Sequence, residues 1–180
     1  MKKLLYVFYG LVIGLFIWAG SSQLYRLNPK AQVPESILPT LTVLGEKALE
    51  TKDVPVAAIV TYFDTIIGVG YNTVKRDFNL GGHAEINALS DAYSRFGDEF
   101  SKLDRSKLVL NTTFEPCQMC KGALVNNRIK NVSFELNKPF LEQVKSQVNL
   151  WMYEWNKRRF NARGLQESLF EQHPDYPNKK

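Results

Sequence analysis

The stretch EPCQMC, residues 115–120, decides how this chain folds and what chemistry it can carry. Two cysteines at spacing i, i+3, here Cys117 and Cys120, can hold one metal ion from the first turn of a helix. Pro116 suits such a first turn because its missing N–H would have no partner inside the helix. The positive end of the helix stabilises negatively charged sulfur, which is the form that binds a metal. The stretch therefore predicts a metal site at the start of a helix.

A second stretch upstream, GHAE at residues 82–85, supplies the remaining parts of such a site. His83 offers a neutral imidazole as a third ligand, and three protein ligands leave one position of a tetrahedral Zn²⁺ open for water. Glu85 can carry a proton of that water. In a regular helix the side chains of His83 and Glu85 would point to nearly opposite sides, so they can share a site only at the helix N-terminus. The preceding Gly81 and Gly82 allow the irregular backbone that this requires.

Together the two stretches match the pattern H-x-E…P-C-x-x-C of the zinc deaminases. The chain resembles the zinc-dependent cytidine/deoxycytidylate deaminase superfamily over residues 41–136. GVGYN at residues 68–72 and CKGA at residues 120–123 are similar to its branch of base, guanine and tRNA adenosine deaminases. The resemblance implies one Zn²⁺ per chain, a catalytic glutamate and an asparagine that contacts the base. The matching residues are His83, Cys117 and Cys120 as metal ligands, Glu85 as the catalytic proton carrier and Asn72 as the substrate-binding residue.

The same residues allow other interpretations at this point. A closed structural zinc site would need a fourth ligand; Glu85 is a candidate, because the only other histidine, His173, lies near the C-terminus. Cys117 and Cys120 could instead form a redox pair. Asn72 could be an ordinary turn residue that follows a strand.

Two features depart from the family pattern. Purine-type deaminases carry Asp-Pro-Thr shortly before the His-Ala-Glu, whereas this chain reads NLGG at residues 79–82. In the family this loop shapes the base pocket. The family also adds a fifth strand after the one that matches residues 132–134, and the sequence shows none before the long helix that follows. The resemblance therefore implies the chemistry but leaves the base open.

Composition sets wider limits. A chain of 180 residues has room for one domain with a proper core. Its net charge of +5 permits an anionic substrate or nucleic acid without requiring either. The chain has 2 cysteines, and both lie in the motif, which excludes a disulfide framework. The cluster KRRF at residues 157–160, with Arg163, could bind phosphates and stack bases, or it could simply face solvent.

The apolar spacing predicts the order helix, strand, strand, helix, strand, helix, strand, followed by a long amphipathic helix over residues 140–160. The first helix is predicted to be capped by Thr40, with Leu41, Leu44, Ala48 and Leu49 on its apolar face. This order is typical of an α/β protein with both metal-bearing helices on one face of a mixed sheet. The fold implied by the resemblance is a three-layer α/β/α cytidine deaminase-like sandwich.

The N-terminus carries an uncharged apolar run over residues 4–20, just after Lys2 and Lys3. Its length of about 17 residues is the lower limit for crossing a bilayer. We expect an uncleaved single-pass membrane anchor with the catalytic domain on the non-cytoplasmic side; a cleaved signal segment and a secreted or periplasmic protein are the alternative. The predicted organisation is an anchor or signal helix at residues 1–22, a linker at 23–39, a zinc deaminase domain at 40–163 and a tail at 164–180.

From the resemblance we expect a zinc-dependent hydrolytic deaminase. It would release ammonia from the exocyclic amino group of a cytosine, adenine or guanine compound, as a free base, nucleoside or nucleotide. The alternatives are a deaminase of tRNA adenosine or single-stranded nucleic acid, and a non-catalytic zinc-binding module. The expected partners are the small-molecule substrate, the membrane through residues 4–20 and a second copy in a homodimer, with nucleic acid less favoured.

Overall fold

The structure is a computed structural model that describes residues 6, 8–15, 32–156 and 165–172. The chain divides into two compact units, Met1–Lys138 and Pro139–Lys180. The first unit holds the sheet and both sequence motifs, and the described part of the second unit holds two helices.

The first unit has the predicted order of helices and strands, with one additional short helix. Two 3-10 turns, Glu35–Ile37 and Arg105–Lys107, come directly before its first helix and its third strand. The elements are α1 (Leu38–Glu50), β1 (Ala57–Tyr62), β2 (Thr65–Tyr71), α2 (Ala84–Phe96), α3 (Glu99–Lys102), β3 (Leu108–Phe114), α4 (Gln118–Asn126) and β4 (Asn131–Leu136).

The four strands form one mixed sheet in the order β2-β1-β3-β4. β1 runs antiparallel to both β2 and β3, and β3 runs parallel to β4. Because β2 and β3 are each antiparallel to β1, they point in the same direction and end at the same edge of the sheet. This sheet confirms the predicted α/β class, and it places the residues that follow β2 close to those that follow β3.

Alternate residues of β1 face two separate apolar clusters. Ala58 and Val60 belong to a cluster that includes the inner sides of α2 and α4, whereas Ala57 and Ile59 belong to one that includes α1. Helices therefore cover both faces of the sheet within this unit. The two motif-bearing helices share one face, as predicted.

The start of α1 differs from the prediction. The helix begins at Leu38 with Pro39 in its first turn, so Thr40 is not its cap. Proline is well accommodated there because its fixed φ already matches the helix. Ile37, from the stretch predicted as a linker, is buried in the same cluster as α1. The buried residues of α1 are Leu41, Leu44 and Ala48, whereas Leu49 of the predicted face is exposed.

α2 packs directly on β2 because two glycines of the strand leave room for it. A Cβ at Gly68 would lie 2.4 Å from the carbonyl oxygen of Ala88, and a Cβ at Gly70 would lie 2.3 Å from that of Ala84. Cβ atoms do not approach a carbonyl oxygen so closely, so any other residue at these positions would displace the helix. The two glycines therefore set the distance between β2 and the start of α2.

The described part of the second unit consists of α5 (Phe140–Asn156) and α6 (Leu165–Glu171). α5 corresponds to the predicted long helix, and α6 lies within the stretch predicted as a tail. The basic cluster at residues 157–160, Arg163 and His173 lie outside the described residues.

The prediction of a membrane anchor is wrong. Among the described residues, no helix is both long enough and apolar enough to cross a bilayer. The predicted non-cytoplasmic placement of the domain, which depended on the anchor, is withdrawn with it. The rest of the proposed segment, residues 1–5, 7 and 16–22, lies outside the described residues.

Replacing Gly70 with alanine is expected to destabilise the fold by about 3 kcal/mol, because the added methyl group would overlap backbone atoms of α2. The free energy of unfolding in urea measures the effect. Gly122→Ala is the matched control: nothing lies within 4 Å of its added methyl group, and alanine is the better helix former. Equal stability of the two variants would contradict the close packing of α2 on β2.

Candidate active site

The start of α2 carries His83 and Glu85. His83 is the N-cap residue with an extended backbone (φ −79°, ψ 147°), and Glu85 lies in the first turn. The preceding loop closes tightly, since the N–H of Thr73 donates to the carbonyl oxygen of Gly82 at 2.8 Å. A Cβ at Gly82 would lie 2.7 Å from Thr73 Oγ1, which explains the glycine. The irregular helix start predicted from the i, i+2 spacing is present.

The start of α4 carries the two cysteines. The prediction that Pro116 lies in the first turn of this helix is wrong. Cys117 is the N-cap residue with an extended backbone (φ −74°, ψ 174°), and Gln118 is the first helical residue. Pro116 therefore precedes the helix, where its fixed φ continues the extended path of the chain after β3. Cys120 is fully buried in the first turn, and Cys117 is partly buried.

The three predicted ligand atoms form a triangle with nearly equal sides. Cys117 Sγ and Cys120 Sγ lie 3.5 Å apart, and His83 Nδ1 lies 3.6 Å from each of them. Around a tetrahedral Zn²⁺, with bonds of about 2.3 Å to sulfur and about 2.0 Å to nitrogen, the sulfurs would be about 3.8 Å apart and each about 3.5 Å from the nitrogen. These residues therefore fit a metal ion of this size.

The two sulfurs share a hydrogen bond that moves the pKa values of their thiols apart. This bond lowers the pKa of Cys117 to about 4, and the backbone N–H groups of Cys120 and Met119 act in the same direction. The same bond, together with burial, raises the pKa of Cys120. A metal cation at the triangle favours the thiolate form of both residues. The start of α4 thus stabilises the negative sulfur of Cys117, whereas Cys120 without a metal favours the thiol form.

Glu85 is buried, with 4% of its surface exposed, and its carboxyl group is hydrogen-bonded to Cys120. Burial raises the pKa of Glu85, whereas its own backbone N–H and the bond to Cys120 oppose that rise. The structure therefore brings the predicted proton carrier to the ligand triangle. A raised pKa suits a group that must accept a proton and return it.

Asn72 is tied to the start of α2. Its Oδ1 accepts the N–H of Ala84, the residue between His83 and Glu85, at 2.8 Å. Its own N–H donates to the carbonyl oxygen of Val56 at 3.1 Å. Because Oδ1 must accept from Ala84, the Nδ2 group is the end of the amide that can donate to another molecule. Asn72 thus has a structural contact at the helix start and retains a donor.

Two further side chains secure the site and had no role in the sequence prediction. Nδ2 of Asn87, on α2, donates to the carbonyl oxygen of Tyr71 at 2.8 Å and to Thr73 Oγ1 at 3.1 Å. Glu115, within the quoted motif, forms an ion pair of 2.9 Å with Lys121 of α4 and accepts the N–H of Lys138 at 3.1 Å. In the sequence, their position beside the motif residues was the signal that could have indicated this role. Both hold the segments from which ligands project.

A known protein family shares most of this sequence. The model of the MafB19-like deaminases matches residues 35–172. The chain belongs to the MafB19-like deaminase family. The resemblance to the cytidine deaminase superfamily, drawn from the two motifs, is thereby confirmed.

Individual relatives of this MafB19-like deaminase agree with that placement. The tRNA-specific adenosine deaminase of Buchnera aphidicola is 37% identical over 103 residues, which cover 54% of this chain and 66% of that protein. A structure from work on A-to-I editing by tRNA deaminases at the wobble position is 26% identical with a TM-score of 0.52, over 58% of this chain and 77% of that one. Guanine deaminase from Bacillus subtilis, at 24% identity, shares the fold with a TM-score of 0.61 over 81% of this chain and 96% of its own.

We expect the purified protein to bind one Zn²⁺ per chain through the ligand triangle. Cys120→Ala should lower the zinc affinity by more than about 100-fold, because it removes one of three protein ligands. Competition with a chelator measures the affinity. Met119→Leu is the matched control, since Met119 lies beside the cysteine, is exposed and is no member of the triangle. The same affinity in both variants would refute the metal site.

Proposed function

We propose that this chain is a zinc-dependent hydrolytic deaminase that acts on the exocyclic amino group of a nucleobase, nucleoside or nucleotide. The observation that carries the proposal is the position of Glu85, which is buried in hydrogen-bonding contact with Cys120 of the ligand triangle. A structural zinc site has no need of a buried proton carrier at that place. Membership of a deaminase family supports the same reading.

His83, Cys117 and Cys120 would hold the metal, since their ligand atoms have the spacing of a tetrahedral site. When bound there, Zn²⁺ supplies a Lewis acid that brings the pKa of water down to about 7. Three protein ligands would leave the fourth coordination position of the metal for water.

Glu85 would move the protons of the reaction. Its carboxylate would accept one proton from the attacking water and pass it to the ring nitrogen, then take the remaining proton of the added hydroxyl group and deliver it to the departing amine. The water oxygen becomes bonded to the ring carbon, the C–N bond breaks and ammonia leaves. Burial of Glu85 keeps bulk water from competing for these protons.

Asn72 would hold the base. Its oxygen is already used by the N–H of Ala84, so its Nδ2 group would donate to an acceptor on the substrate. The same hydrogen bond to Ala84 fixes the amide relative to His83 and Glu85. Asn72 would therefore place the reacting ring against the proton carrier.

A second candidate substrate is adenosine in tRNA. Sequence relatives favour it, because the Buchnera aphidicola protein and others of 36–40% identity are tRNA-specific adenosine deaminases. Lys75 lies in the loop next to the site, where its charge would attract phosphate; the neighbouring Arg76 is already paired with Asp77 at 2.8 Å. A steep fall of binding with rising salt concentration would favour tRNA over a small base.

Ammonia release decides between these candidates and a non-catalytic zinc module. The zinc-loaded chain is expected to release ammonia from at least one member of a panel of cytosine, adenine and guanine compounds and a tRNA anticodon stem-loop. Glu85→Gln should lower the rate by at least about 100-fold while zinc remains bound, because it removes the proton carrier and no ligand. The control is Glu99→Gln, which changes an exposed carboxylate of α3. A zinc-loaded wild type inactive on every compound would overturn the proposed function.

Asn72→Asp tests the role of the Asn72 donor. The new carboxylate can still accept the N–H of Ala84, so the fold should be retained, but the donor to the base is lost. We expect kcat/KM to fall by about 10- to 100-fold, which corresponds to about 1.4–2.7 kcal/mol. Steady-state kinetics and thermal unfolding measure the two effects. Unchanged kinetics in a folded variant would limit Asn72 to its structural contact.

A further inference from the structure

Asp53 is a buried carboxylate for which the proposed mechanism has no use. It lies just after α1, is 5% exposed, and its N–H donates to the carbonyl oxygen of Ala48 at 2.9 Å. Its Oδ1 accepts the N–H of Lys75 at 2.7 Å. Its Oδ2 accepts the N–H of Arg76 at 3.2 Å and the hydroxyl of Thr51 at 2.9 Å. One side chain thus joins the end of α1 to the loop at residues 73–82.

This loop runs directly between two residues of the proposed site. Asn72 comes just before it and His83 just after it. The large apolar side chains of the loop, Phe78 and Leu80, are 95% and 86% exposed, so burial of apolar surface does not hold the loop in place. Polar contacts must do so instead, and the bonds to Asp53 tie it to α1.

The chemistry of Asp53 suits this task. Three donors converge on its two oxygens, and only a carboxylate offers enough acceptor sites without bringing a donor of its own. Burial works to raise the pKa of Asp53, but the N–H of Lys75, the hydroxyl of Thr51 and the N–H of Arg76 hold it below its usual value. The group is therefore ionised at neutral pH, and its bonds to the loop are charge-assisted.

A shift of the loop would reach the site through Thr73. The N–H of this residue is bonded to the Gly82 carbonyl, and its hydroxyl accepts Nδ2 of Asn87 from α2. Gly82 precedes His83, and Thr73 follows Asn72. These hydrogen bonds join the two ends of the loop, so a displacement at Lys75 would also displace Asn72 and His83.

We propose that Asp53 is a positioning residue, which holds the loop at residues 73–82 so that Asn72 and His83 keep their places in the site. The inference rests on the proposed function for its catalytic consequence. The anchoring of the loop and the position of His83 can be tested without that function.

The test compares Asp53→Ala and Asp53→Asn with Asp104→Ala. Asp104 is a matched control because it also accepts a backbone N–H and a hydroxyl, both from Ser106, at 2.9 and 2.8 Å. It lies before β3, whereas the site lies beyond the far end of that strand. Three measurements are made on each full-length variant: amide hydrogen exchange of residues 73–82, zinc affinity by chelator competition, and kcat/KM.

Asp53→Ala is expected to speed exchange across residues 73–82, to lower zinc affinity by about 10-fold and to lower kcat/KM by about 10- to 100-fold. Asp53→Asn should give smaller changes in all three, since its remaining oxygen still accepts one loop N–H. Asp104→Ala should leave all three near the wild-type values. Faster exchange confined to residues 73–82 is what a general loss of stability would not produce.

Two of the three readouts do not depend on the reaction. If the wild type deaminates nothing, the proposed function fails, and hydrogen exchange with zinc affinity still decides the role of Asp53. Wild-type exchange in Asp53→Ala would overturn the inference, as would faster exchange with wild-type zinc affinity and kcat/KM. If Asp53→Ala does not fold, Asp53→Asn is held to the same criteria.

Discussion

The direction of two strands is the constraint on which the rest of the site depends. β2 and β3 both run antiparallel to β1, so both end at one edge of the sheet. α2 and α4 begin just beyond that edge and pack on the same face. The N–H groups at a helix start have no partners within the helix, and two such starts together create a region that favours negative charge. The thiolate of Cys117 is stabilised there by the backbone N–H groups of Met119 and Cys120, which the fold has already oriented.

The distance between α2 and β2 is set by two glycines of the strand. Gly68 and Gly70 let α2 approach β2 until a Cβ on either strand residue would collide with helix backbone. This approach brings the start of the helix down to the level of Asn72, whose side chain then reaches the N–H of Ala84. The position of the imidazole and of the buried carboxylate therefore follows from strand packing as much as from the motif itself. Side chains larger than hydrogen on the strand would move ligand and proton carrier together.

The parts of this protein that could be predicted are those whose chemistry restricts the sequence. Zinc ligands come from few residue types and here lie in a recognisable pattern, so Cys117, Cys120 and His83 stand out, and the i, i+2 spacing of His83 and Glu85 required an irregular helix start that the structure has. Asp53 could not be found in this way, because its partners in the loop are backbone N–H groups, which leave no mark on the sequence. The apolar N-terminal run was predicted from hydropathy, which reports composition, whereas crossing a bilayer also requires a long apolar helix, and the described residues contain none.

The loop before His83 shows how a different sequence can keep a functional shape. Family members that carry Asp-Pro-Thr in this place have a proline to stiffen the chain, and this protein has Asn79, Leu80 and two glycines instead. Asn79 Oδ1 accepts the N–H of Gly81 at 2.9 Å, and the Asn79 carbonyl oxygen accepts the N–H of Gly82, also at 2.9 Å. These bonds close a turn that a proline would otherwise enforce through its ring. In this protein, hydrogen bonds to Asn79 rather than a proline ring hold the turn closed. Leu80 of this turn is exposed, and the departure from the family pattern leaves the three ligand atoms at the spacing of a tetrahedral metal site.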